Sequence, residues 1–88
     1  MKLKKIPTTW RGIQNTEDTT EGDMQDFLDG TDWVCDGKYE WSGTFELYRS
    51  GDLKYITLKR DHWFVVSSKG KVKTMDPWEF GEKFEVDE

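Results

Sequence analysis

The chain has 88 residues, 34% hydrophobic and 35% charged, with 18 Asp and Glu against 13 Lys and Arg and a formal net charge of −5. A single domain of this size buries only about 60% of the surface its unfolded chain exposes, so five Trp, five Phe and three Tyr must supply much of the core. The acidic balance argues against direct nucleic-acid binding, whose phosphates need clustered Lys and Arg, and no stretch approaches the roughly 20 apolar residues of a membrane span.

Residues 1–12 carry Lys2, Lys4, Lys5 and Arg11, with Leu3, Ile6 and Trp10 as anchors, and predict a partly extended basic arm. Pro7 disfavours helix at Ile6, and the two threonines after it suit an edge strand docked on a sheet.

From Ile13 to Gly37 the composition changes: Glu17, Asp18, Glu21, Asp23, Asp26, Asp29, Asp32 and Asp36 occur without a single Lys or Arg. Inside this acidic segment, TEGDMQDFLDG reads as a short helix. Thr20 is the expected N-cap and Gly30 the stop, with Met24, Phe27 and Leu28 spaced to share one face. Glu21 and Asp23 suit the positive end of the helix dipole. Asp26 and Asp29 lie toward its negative end, where local stability does not explain them.

The rest predicts antiparallel strands. Asp36-Gly37, between Trp33–Cys35 and Lys38–Trp41, is a two-residue hairpin signal. TFELYR points Phe45 and Leu47 one way and Thr44, Glu46 and Tyr48 the other, Ser50-Gly51-Asp52 turns the chain, and LKYITLKR places Ile56 and Leu58 opposite Leu53, Tyr55 and Thr57. HWFVVS is an almost continuous apolar run, as expected of a central strand covered on both faces. SKG turns into KVKTM, whose Lys71 and Lys73 face outward. Asp76-Pro77 breaks the ladder, Trp78 and Phe80 fold over the sheet end, and KFEVDE suits one more strand. The fold expected is one α+β domain over residues 1–88, an antiparallel sheet of about five strands with one short helix. An SH3-like or OB-like partial barrel is the alternative.

The hairpin DHWFVVSSKGKVKTMDP resembles the distal half of papain-like cysteine peptidases: a His heading an apolar strand, a Gly turn, a Val-containing strand and Asp-Pro. The resemblance implies His62 as general base, Asp76 as its orienting partner and Cys35 as nucleophile, the order found in that family. It covers about 17 residues of the chain. Read from its own neighbours, Cys35 lies between Asp32 and Asp36, carboxylates that should raise its pKa.

A lone cysteine forms no intrachain disulfide, so a reducing cytoplasm suits the chain, and the N-terminus lacks the apolar run of a signal peptide. One His and one Cys cannot build a structural zinc site, and neither calcium-loop nor phosphate-loop spacing occurs. No metal or cofactor is therefore expected. The aromatics Trp41, Tyr48, Tyr55 and Trp63 beside Lys54, Lys59, Arg60, Lys69, Lys71 and Lys73 could form a single-strand platform, but a solvated basic face is the expected reading. The expectation is a non-enzymatic, acidic protein-interaction module that presents Glu17, Asp18, Glu21, Asp23, Asp26, Asp29 and Asp32 to a basic protein surface. An inhibitor of a nucleic-acid-handling host or defence protein is one such module, and a minimal papain-like cysteine hydrolase is the alternative.

Overall fold

The structure is a computed structural model that describes residue 3 and residues 9–52 and 54–85. Most of the basic arm predicted over residues 1–12, together with Leu53 and Val86, lies outside the described residues. In chain order the elements are β1 (Trp10–Gln14), α1 (Glu21–Leu28), β2 (Trp33–Tyr39), β3 (Thr44–Arg49), β4 (Tyr55–Leu58), β5 (Trp63–Ser67), β6 (Val72–Met75) and α2 (Pro77–Lys83).

The α+β class holds, but the single sheet of about five strands with one helix is corrected to two three-stranded antiparallel sheets and two short helices. One sheet has the order β1-β5-β6 and the other β2-β3-β4. The division follows from β5, which offers only two edges. β1 takes one, with Trp10 opposite Ser67 and Gln14 opposite Trp63, and β6 takes the other. Neither edge is left for β4. The chain leaves β4 through a turn in which Asp61 adopts φ 68°, a left-handed conformation that Asp tolerates better than most residues.

Helix α1 is fixed at its start by a reciprocal capping box. Asp23 N–H donates to the Thr20 hydroxyl at 3.1 Å and Thr20 N–H donates to the Asp23 carboxylate at 3.0 Å. At the other end Gly30 takes φ 86°, and the Thr31 N–H reaches back to the Leu28 carbonyl at 2.9 Å. The expected apolar face is present: Met24 and Leu28 are fully buried and Phe27 half-buried. This face packs between the sheets with Trp33, Phe45, Leu47, Leu58 and Phe64. Phe64 meets Phe27 and Trp33 edge-on, at centroid distances of 6.3 and 5.9 Å, so helix and both sheets converge on one ring.

The predicted turn at Asp36-Gly37 is a second correction. β2 runs straight through these residues with a register shift between Cys35 and Gly37, and the chain reverses at residues 40–43. A type I′ turn needs positive φ at both central residues, and neither Asp36 nor Gly37 has it. Gly43 does, at φ 68°, and donates to the Tyr39 carbonyl at 2.7 Å. The resulting bulge resets the strand's phase, so that Lys38 lies opposite Phe45 on the inner side. Its ammonium sits 5.3 Å from the Phe45 ring centroid and donates to the Thr19 carbonyl at 2.8 Å.

Strand β5 is central and covered on both faces as expected, with Phe64, Val65, Val66 and Ser67 all buried. The strand expected in KFEVDE is corrected: its first residue closes α2 and Phe84 caps it. Asp76 explains this, since its carboxylate accepts from the Glu79 N–H at 2.7 Å and Pro77 follows at the first helical position. Phe80 stacks on Trp63 at 3.7 Å with the rings nearly parallel, while Phe84 stacks on Phe80 and meets Trp10 edge-on. Trp78 does not fold over the sheet. It is 80% exposed, with its indole N–H donated to Glu82.

Candidate functional site

All seven carboxylates expected to form a contact surface are exposed. Glu17 and Asp18 occupy the turn after β1, which is held by the Thr19 hydroxyl donating to the Gln14 carbonyl at 2.8 Å and by the Lys38 bond to Thr19. Glu21, Asp23 and Asp26 project from α1, Asp29 forms its C-cap, and Asp32 precedes β2. Two hydrogen bonds from Thr20, backbone first and side chain second, hold the Asp23 carboxyl below its usual range. Among the described residues the ion pairs join Arg49 to Asp52 and Lys83 to Glu79, so none of the seven acids is spent in one.

The three residues implied by the peptidase resemblance are not joined. Because Trp63 lies opposite Met75, the next step of the register puts His62 across from Asp76, as in a His/Asp hairpin. The Asp76 carboxylate, however, is engaged as the N-cap of α2. Cys35 stands in the other sheet, opposite Leu47 and packed against the core. Burial pushes its thiol up, and Glu21 and Asp36 push it the same way. Among the described residues no hydrogen bond links Cys35, His62 and Asp76, and no cluster of three His, Cys, Asp or Glu is placed to hold a metal ion. The arrangement lacks the thiol–imidazole contact through which a base activates a nucleophile.

The aromatic platform is not assembled either. Trp63 is covered by Phe80, while Tyr48 and Tyr55 pair on the other sheet at 5.9 Å.

Sequence reasoning passed over a cleft of about 370 Å³ lined by residues of both sheets. One wall is the row Arg11, Val66 and Val72, aligned across β1, β5 and β6. The facing wall is the cross-strand pair Trp33 and Arg49, and Asp32 and Ser68 lie among the remaining lining residues. The signal was available: Arg11 is in phase with Ile13 and Arg49 with Phe45 and Leu47, so alternation places both arginines on the core-facing rows, where Arg11 is exposed and Arg49 half-buried. The Arg11 guanidinium lies 5.1 Å from the Phe27 centroid and that of Arg49 lies 5.8 Å from Trp33. Compared with protein-family models, with curated proteins and with solved structures, the chain finds no match.

Proposed function

We propose that this chain is a non-enzymatic interaction module that docks on a basic protein surface through Glu17, Asp18, Glu21, Asp23, Asp26, Asp29 and Asp32. The observation that carries the reading is that these exposed carboxylates sit on one capped helix and its flanking turns, with no ion pair among the described residues. A row of carboxylates on an ordered element is pre-organised, so little ordering entropy is lost when a cationic surface meets it. Phosphate-binding surfaces of nucleic-acid-handling proteins are cationic in this way, and an inhibitor that offers carboxylates where phosphates bind is the specific form proposed.

The test is an exchange of Asp18, Asp26 and Asp29 together to Asn, measured against the partner captured from the source cell. Asp23 is left unchanged because its carboxylate closes the capping box. Binding at low salt should weaken roughly tenfold or more, about 1.4 kcal/mol, with the thermal midpoint preserved. The difference should shrink at high salt, where exposed charges are screened. Equal affinity of the triple variant and the parent at low salt would sink the proposal.

A further inference from the structure

We infer that the cleft between the two sheets is a binding site for a free α-amino acid, with Arg11 receiving the carboxylate and Asp32 the ammonium. The inference shares Asp32 with the acidic docking surface but does not rest on that reading.

Inner-face positions of both sheets are filled largely by core residues such as Ile13, Phe64, Leu47 and Phe45, and besides Lys38, which bonds the Thr19 carbonyl, the rows carry Arg11 on one sheet and Arg49 on the other. A long cation on an inner row has a bland explanation where it reaches a carboxylate or a carbonyl and so closes the end of the core. Arg49 fits that explanation. Its Nε and Nη2 both donate to the Asp52 carboxylate, and this bond, first among the causes, raises the guanidinium's already high pKa.

Arg11 does not fit it. Among the described residues its guanidinium has no hydrogen bond and no ion pair, although it is held in place by the Phe27 ring. Asp32 lines the same cleft, yet it bonds neither arginine among the described residues.

With Arg49 and Asp52 paired, the described residues leave in the cleft Arg11 with no ion pair and Asp32 with no direct bond, though the Asp32 charge also acts on Arg49. A purely anionic ligand gains from Arg11 and is repelled by Asp32. A purely cationic one meets the reverse. A zwitterionic ligand, of which a free α-amino acid is the smallest common kind, offers a counter-charge to each group, and the planar fork of Arg suits its carboxylate. The size agrees, since about 370 Å³ is near the lower end of ligand-site volumes, roughly 300–1,000 Å³. Val72 at the half-buried edge of the wall, with Val66 and Trp33 behind it, gives an aliphatic side chain an apolar surface. The hydroxyl of Ser68 lies on the same lining.

The experiment titrates the full chain, followed by amide NMR shifts, with three probes on one carbon skeleton. These are leucine, 4-methylpentanoate, which lacks the ammonium, and 3-methylbutylamine, which lacks the carboxylate. Leucine should shift the amides of Arg11, Asp32, Ser68 and Gly70 and bind roughly tenfold or more tighter than either fragment, as expected when a site's polar group is left without its counterpart. Arg11→Gln should reduce leucine to the level of the amine, and Asp32→Asn should reduce it to the level of the acid, each with the dispersion of the spectrum intact. Two results overturn the inference: 4-methylpentanoate binding as tightly as leucine, or no shift at these amides with any probe at millimolar concentration. The three-probe comparison is made on the unaltered chain, so a variant that failed to fold would not remove the test.

Discussion

The two sheets have the same number of strands but opposite treatments of their outer faces. On β1-β5-β6 the outer face carries Trp63 and Val65, and α2 covers it through the stack of Phe80 and Phe84 on Trp63 and Trp10. Val65 is left 1% exposed. On β2-β3-β4 the outer face carries Val34, Tyr48 and Tyr55 in one cross-strand row with no helix laid over it among the described residues, and Tyr55 remains 62% exposed. A seven-residue helix carrying Phe80 and capped by Phe84 therefore covers much of the second face of a small sheet. The sequences record this difference: β5 reads WFVVS, apolar without alternation, whereas β3 reads TFELYR, with Phe45 and Leu47 separated by Glu46.

The largest effect should come from the ring both sheets share. Phe64→Ala removes the partner of Phe27 and Trp33 and should cost about 3–5 kcal/mol, read as a fall in the urea midpoint with a single transition retained. Loss of only one sheet's transition would show that the sheets are not one cooperative unit.

A smaller effect separates the outer faces. Trp63→Ala removes the surface on which α2 rests and should cost about 1–3 kcal/mol. Tyr55→Ala loses only an exposed cross-strand pair, about 0.2–1 kcal/mol. Equal losses in the two variants would break the contrast drawn above.

The smallest effect concerns the exposed turn between β3 and β4. The Arg49 side chain, helped by the Lys54 N–H and by the Arg49 and Lys54 charges, lowers the Asp52 carboxyl to about 2. Because the folded value lies below the unfolded one, near 3.9, the stabilising contribution is fully present above pH ~4 and is lost as the pH falls through about 2. Asp52→Asn should flatten the acid limb of the stability profile in that window, and added salt should shrink the difference between variant and parent. An unchanged acid limb would assign the acid sensitivity to other carboxylates.

Local signals were legible where the deciding interactions are local. Thr20, Met24, Phe27, Leu28 and Gly30 located α1 because cap, apolar face and stop lie within eleven residues. The turns at 50–52 and 68–70 and the doubly covered β5 were legible for the same reason.

The errors arose where a choice depends on distant partners. Asp36-Gly37 and Ser42-Gly43 both offer a turn, and the pairing of Lys38 with Phe45 and its bond to Thr19 belong with the second. The split into two sheets depends on β1 crossing to β5, a contact between segments about fifty residues apart that no local pattern announces. KFEVDE alternates like a strand, but Asp76 and Pro77 had already started a helix. Of the candidate sites, the exposure of the acids followed from composition. The cleft required knowing that two strands in different sheets face one another.

Asn15 gives this architecture a mechanical asymmetry. The residue is fully buried, its N–H donates to the His62 carbonyl at 2.9 Å and its own carbonyl accepts from the Asp61 N–H. Its side-chain amide donates to the carbonyls of Gly43 at 2.6 Å and Leu58 at 3.0 Å, with Oδ1 left unpartnered. One side chain thus rivets the strand end of β1 to the β2–β3 turn and to the end of β4, tying sheet to sheet. The cleft lined by Arg11 and Arg49 has no comparable side-chain bond from sheet to sheet among the described residues. The two sheets are thus joined by hydrogen bonds at Asn15 and by side-chain packing, such as Trp33 on Phe64, beside the cleft.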